Sequence, residues 1–154
     1  MVILLHDEVD RRAAALAERH RKRMVCARGC SGCCVDGLTV FEVEADRIRA
    51  GAADLLATGT AHPPGACAFL GSEGECRVYA VRPYVCRTQG LPLRWIDEEA
   101  EAEYRDICPL NDKGAPIEEL DAADCWTVGE FEERLAQMQG DGRRVALRDL
   151  FGKG

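Results

Sequence analysis

The chain has 154 residues, enough for one domain with its own core, and 27 acidic against 20 basic side chains give a net charge of −7. That balance argues against a nucleic-acid partner gripped through its phosphates, which needs a basic face. The apolar run Val2 to Leu5 lacks the length, basic flank and cleavage site of a secretory leader, and nothing later approaches a membrane span, so no membrane contact is expected.

Taken in order, the elements begin with a helix over Asp7 to Arg23, rich in alanine, acidic early and basic late, with Val9, Ala13, Leu16 and His20 in a thin apolar stripe. The basic run Arg19 to Arg23 reads as its solvated C-terminal end. Thr39-Val40-Phe41-Glu42 has the form of a capping box and opens a helix through about Arg49 that stops at Gly51. A short helix around Ala52 to Ala57 leads into a turn-rich stretch, Gly59 to Gly65.

Cys67-Ala-Phe-Leu and Cys76-Arg-Val-Tyr read as a hairpin about Gly71 to Gly74. With Ser72 and Glu73 at its tip, Phe69 opposes Cys76 and Cys67 lies on the diagonal of the same face. Arg82-Pro83 starts a helical turn carrying Cys86, Leu91 to Ile96 reads as a strand, and the acidic stretch Glu98 to Glu103 as a solvated loop or turn. Thr127 to Met138 is an amphipathic helix with Val128, Phe131, Leu135 and Met138 on one face, broken at Gly140, and Val145 to Phe151 forms a last short element. The expected fold is a small, mostly helical, irregular α+β domain spanning 1–154. It has an N-terminal helix (1–25), a loop-rich cysteine core with one or two short hairpins (26–110) and a helical cover (111–154).

Nine cysteines are the main chemical content. Eight fall in one order, Cys26-x3-Cys30-x2-Cys33-Cys34, then Cys67, Cys76, Cys86 and Cys108, while Cys125 beside Trp126 stands outside the pattern and reads as packing. Thiols two residues apart can bend back over one ion, and Gly29 and Gly32 allow the positive φ that turns amides towards sulfur. Cys33 and Cys34 are adjacent, and in extended backbone they face opposite sides, so one joins the first site and its neighbour faces elsewhere. Arg28, Arg77, Arg82 and Arg87 read as local neutralisers of thiolate charge. An odd cysteine count in a chain read as cytoplasmic disfavours a disulfide framework. The eight thiols therefore predict one or two metal sites, and the spacing leaves open both which thiols share an ion and whether the metal is zinc or an iron–sulfur cluster.

The run Cys26 to Cys34 followed by Cys67-Ala-Phe-Leu, Cys76-Arg-Val-Tyr and Arg82-Pro83-x2-Cys86-Arg87 resembles the CxxCxxCC cysteine-cluster proteins of the YkgJ type. They are described as zinc- or iron-chelating, or as containing an iron–sulfur cluster. The resemblance covers about Cys26 to Cys108 and implies metal ligation by Cys26, Cys30, Cys33, Cys34, Cys67, Cys76, Cys86 and Cys108. The first gap departs from the family pattern, three residues where two are usual, which sets Cys26 apart from the other leading thiols. Longer relatives are associated with methylation of flagellin lysines, and this chain lacks room for their additional parts.

Other chemistries find less support. C-x3-C-x2-C is also the spacing of radical SAM enzymes, but Gly32 occupies the place of their usual aromatic residue and no barrel-length strand–helix alternation follows. No P-loop, HExxH, dinucleotide fingerprint or nucleophile elbow occurs, and Asp36, Glu42 and Glu44 form no acid–base pair by sequence. His62 reads as a surface-loop residue. The functional reading is a metal-binding protein, with an iron–sulfur redox protein or an accessory subunit of a modifying enzyme as alternatives, and no protein partner can be named.

Overall fold

The computed structural model describes residues 1–152. Helix α1 runs Val2–Arg19, β1 Thr39–Phe41, α2 Glu42–Gly51, α3 Ala53–Thr58, α4 Tyr84–Arg87, β2 Leu93–Asp97, β3 Ala102–Asp106, β4 Trp126–Thr127, α5 Glu130–Gln139 and β5 Arg144–Ala146. Single 3₁₀ turns fill several of the connections. The class is the α+β one expected from sequence, with helices around two small sheets. Among the described residues no helix is long and apolar enough to cross a membrane.

Two hydrophobic clusters form the interior. In the first, Leu5, Val9, Ala13 and Leu16 of α1 meet Tyr84, Leu91, Trp126 and the Phe131/Leu135 face of α5. Tyr84, Trp126 and Phe131 stack in pairs, with ring centroids 5.4 to 6.3 Å apart, and the Trp126 indole N–H donates to the Tyr84 hydroxyl at 2.8 Å. In the second, Ala45 and Ile48 of α2 meet Val40, Phe69, Val78, Leu147 and Leu150, and Cys67 and Cys76 pack against its edge.

A buried polar knot joins α1 to α2. His6 is fully buried and donates from Nε2 to Glu44 Oε1 at 2.9 Å, while Arg47 Nη1 donates to its Nδ1 at 2.5 Å. Arginine can only donate, so the imidazole is the neutral Nε2–H tautomer. Glu44 also accepts the backbone N–H groups of Tyr84 at 2.7 Å and Phe41 at 3.3 Å, which satisfies a carboxylate that is 3% exposed.

The structure moves several expected boundaries. Helix α1 begins at Val2 and ends at Arg19, so the basic run beyond Arg19 lies outside it. His20 and Arg23 are buried in the following turn, which corrects the picture of a wholly solvated helix end. Thr39 does not cap α2. It sits in β1, paired antiparallel with β5 (Thr39 opposite Ala146), and its hydroxyl accepts from Arg144 Nε at 2.9 Å. Glu44 makes the reciprocal bond to Phe41 instead, because the sheet pairing takes residues 39–41 first.

The 67–79 segment turns one residue later than expected. Gly71 N–H donates to Glu75 O at 2.8 Å, and Leu70 rather than Phe69 opposes Cys76. Part of the acidic stretch enters β3, which pairs antiparallel with β2 (Asp97 opposite Ala102). Parallel β4 completes that sheet on the other side of β2. The last helix begins at Glu130 rather than Thr127, since Trp126–Thr127 is taken by β4.

Candidate metal centre

The leading cysteines lie on two consecutive tight turns. Cys30 N–H donates to Ala27 O at 3.0 Å and Cys34 N–H to Ser31 O at 2.9 Å. Gly29 makes the first turn possible at φ +89°, whereas Gly32 needs no positive φ. Because Cys33 sits in a turn and not in extended backbone, its thiol is not turned away from that of Cys34. The charge of Cys33 is among the causes that raise the Cys34 pKa, so the two thiols share one neighbourhood and the alternation expected of extended backbone does not hold here.

Two contacts lay this loop along the 67–76 hairpin. Cys67 N–H donates to Cys34 O at 2.9 Å. At the other end, a Cβ on Gly74 would come within 3.0 Å of Gly29 O, so backbone meets backbone there. The loop is thus docked at both ends, with the Cys33 and Cys34 thiols near those of Cys67 and Cys76. Helix α4 adds Cys86 to the same neighbourhood.

The electrostatics report this convergence. Burial raises the Cys86 thiol to about 12, and the charges of Cys67, Cys76, Cys34 and Cys33 add to it. Burial likewise raises Cys34 to about 11, with contributions from Cys33, Cys67 and Cys76. Cys76 is raised by burial and by Cys67 and Cys33, and lowered by the amide of Val78 and the charge of Arg82. Cys33 is raised by burial and by Cys30 and Cys26. Five thiols therefore crowd one region, and Cys33 links them to Cys26 and Cys30.

The Cys26 end is built by Asn111, which is fully buried. Its Nδ2 donates to Gly90 O at 2.9 Å and to Cys26 Sγ at 3.3 Å, its Oδ1 accepts from Val25 N–H at 2.9 Å, and its own N–H donates to Cys108 O at 2.8 Å. One side chain ties together the loops carrying the first and last cysteines of the series. Gly90, at φ +88°, lies so close that a Cβ there would sit 2.5 Å from Cys26 Sγ. Neither Asn111 nor Gly90 was singled out from sequence. A polar residue three places after Cys108 follows no periodicity, and its role exists only once residue 90 is folded against it.

The four arginines expected to neutralise sulfur divide. Arg82 acts on Cys76. Arg77 donates to Thr60 O and Ala68 O and covers the Phe151 ring, Arg87 is held by Asp10, and Arg28 is exposed. Asp36, just beyond Cys34, has no catalytic partner. Its carboxylate receives Arg148 and the N–H groups of Gly37 and Gly65, which hold its pKa below the ordinary range and fix the end of the cysteine loop.

The donor set suits a thiophilic metal. Sulfur ligands select zinc or iron over the hard cations, and a carboxamide N–H directed at sulfur, here from Asn111 to Cys26, stabilises thiolate charge. All nine cysteines are free thiols. Among the described residues, no three Cys, His, Asp or Glu side chains already stand at the spacing that would hold an ion. The thiols share a neighbourhood without having closed on a common point. Cys125 lies apart, buried, with its sulfur accepting from Arg105 Nη1 at 2.9 Å.

Neither a curated protein nor a solved structure matches the chain. A family model described as "Putative zinc- or iron-chelating domain", CxxCxxCC, matches residues 25–109, the stretch that holds the cysteine turns, the hairpin, α4 and Cys108. That match covers more than half of the sequence, and the chain belongs to this CxxCxxCC family.

Proposed function

We propose that the protein is a thiolate metal-binding protein in which Cys34, Cys67, Cys76 and Cys86 hold a zinc ion, with Cys26, Cys30, Cys33 and Cys108 forming a second, more open set. The observation that carries this reading is the docking of the cysteine loop along the hairpin, which gathers sulfur from three separate segments. Zinc bound by four thiolates is a structural centre whose binding energy adds to folding energy. The chain's own part is to bring the thiols together, desolvate them and offer N–H donors to sulfur. Cys26, Cys30 and Cys33 are exposed, which suits a set that exchanges its metal with a partner. The acidic surface fits a partner other than nucleic acid, and nine free thiols fit a reducing, cytoplasmic setting.

A second reading, an iron–sulfur redox protein, is favoured by the Asn111 N–H aimed at Cys26 sulfur, since such bonds tune cluster potentials. Anaerobic purification with metal and sulfide analysis separates the two. Colourless protein with stoichiometric zinc is expected. Brown protein with matching iron and sulfide would replace the first reading by the second, and metal-free protein that is fully folded would overturn both.

A further inference from the structure

The basic run that follows α1 does not dissolve into solvent. Arg19, His20, Lys22 and Arg23 close, together with Lys113 and Ala115, around a cleft of about 240 Å³. Arg23 is 7% exposed and its Nη2 donates to Ala115 O at 2.6 Å, while its Nη1 has no hydrogen-bond partner. Among the described residues no carboxylate lies within ion-pair distance of Arg23, Lys22 or Lys113, and only Arg19 is paired, with Asp124 at 2.9 Å. His20 has its Nε2 bonded to Asp124 O at 2.7 Å, which leaves its Nδ1 outside that bond.

Other buried guanidinium nitrogens without a partner are differently placed. Those of Arg87 and Arg94 belong to side chains ion-paired with Asp10 and Glu103, and that of Arg77 belongs to a side chain covering the Phe151 ring. Arg23 instead lines the cleft with a charge that no carboxylate offsets; its Nη1 is sealed from solvent, and an anion entering the cleft would supply the counter-charge that the guanidinium lacks. An acidic chain that sets two of its three lysines here, beside two arginines, has concentrated positive charge against its overall balance.

From this geometry we infer a binding site for a small oxyanion of the phosphate class, taken either as the free anion or as the phosphoryl group of a small organic monoester. Arg23 supplies a fixed guanidinium charge in the cleft wall and Lys22 and Lys113 supply mobile charge at the rim, the combination that phosphate recognition uses. The site is separate from the thiols, although Arg23 stands three residues before Cys26 and Lys113 two after Asn111. The metal-replete full chain is therefore the material to test.

The experiment is calorimetric titration of that protein with inorganic phosphate, then with a sugar phosphate and the corresponding neutral sugar. One saturable site for phosphate is expected, and Lys113→Gln and Lys22→Gln, both at exposed positions, should each weaken it about tenfold, as for the loss of one charge-assisted bond. Arg11→Gln, equal in charge change but on the exposed face of α1, should leave affinity unaltered. Arg23→Lys should weaken binding beyond either lysine variant, with circular dichroism confirming that it is folded. Tighter binding of the sugar phosphate than of phosphate identifies an organic monoester as the occupant, and equal binding identifies the free anion. Absence of saturable binding at millimolar phosphate, equal binding of the neutral sugar, or equal losses in R11Q and K113Q would each overturn the site.

Discussion

Asn111 and Gly90 make the residue-scale case for how the metal centre is built. The carboxamide is buried and joins Val25, Cys26, Gly90 and, through its backbone, Cys108. Removing it leaves several buried polar groups unpaired, so Asn111→Ala should cost about 1–3 kcal/mol. Gly90→Ala adds a methyl against Cys26 sulfur at a backbone angle that L residues avoid, and should cost about 1–2 kcal/mol from the angle alone. Both variants should lose metal held by the Cys26 set while retaining that at Cys34, Cys67, Cys76 and Cys86. Denaturant midpoints and metal analysis check this, and full metal retention would remove Asn111 from the centre.

His6 gives a second residue-scale prediction, this one in pH. Burial holds its pKa below the ordinary value of 6.5, outweighing the Glu44 bond that would raise it. The unfolded chain takes up a proton that the folded neutral ring refuses, so stability is fully present above about pH 6.5 and falls as pH drops below that. Urea midpoints measured between about pH 7 and pH 5 should decline more steeply in the native chain than in His6→Gln. Acid loss of metal is common to both chains, so the difference in slope isolates the imidazole, and parallel slopes would contradict the assignment.

At the scale of elements, the docking of the cysteine loop on the hairpin decides the site. Gly74 and Gly37 both require positive φ, at +79° and +76°, but only at Gly74 would a Cβ meet another backbone, 3.0 Å from Gly29 O. Gly74→Ala should therefore displace the loop and weaken metal binding. Gly37→Ala bears the conformational cost alone, about 1–2 kcal/mol of stability, with metal affinity nearly unchanged. Titration against a chelator compares them, and equal affinities would show that the hairpin tip does not position the thiols. The hairpin's register belongs to this scale too. The extra residue in its turn places Leu70, not Phe69, opposite Cys76 and frees Phe69 for the second core cluster.

For the whole molecule, the two clusters differ in what they owe to metal. The first, built from α1, α4, α5 and Trp126, closes through aromatic stacking and helix packing. The second has Cys67 and Cys76 at its edge, and the thiol-bearing loops lean on it. Stripping the metal with a strong chelator should lower thermal stability and leave Cys34, Cys76 and Cys86 as neutral thiols, given their raised pKa values. Hydrogen exchange should then become fast over 26–37 and 66–77 while α1 and α5 keep their protection. Uniform loss of protection would mean instead that the metal holds the entire fold. Cys76→Ser should reproduce the local effect.

How much could be read from the chain alone follows from what is local. The Val9/Ala13/Leu16 stripe, the Phe131/Leu135 face and the helical turn after Pro83 are fixed by spacing along a few turns of backbone, and each stands where the periodicity put it. The capping of α2, the exact hairpin turn, β3 and the burial of Arg23 depend on partners from distant segments: β5 for Thr39, β2 for the acidic stretch, residues 113–115 for the basic run. Chemical character, a set of thiols suited to zinc or iron, was determined by the sequence, because side-chain type carries it. Which thiols become neighbours, and that a buried asparagine and a cleft lined by basic side chains form nearby, was decided by tertiary structure, because only long-range packing sets those distances.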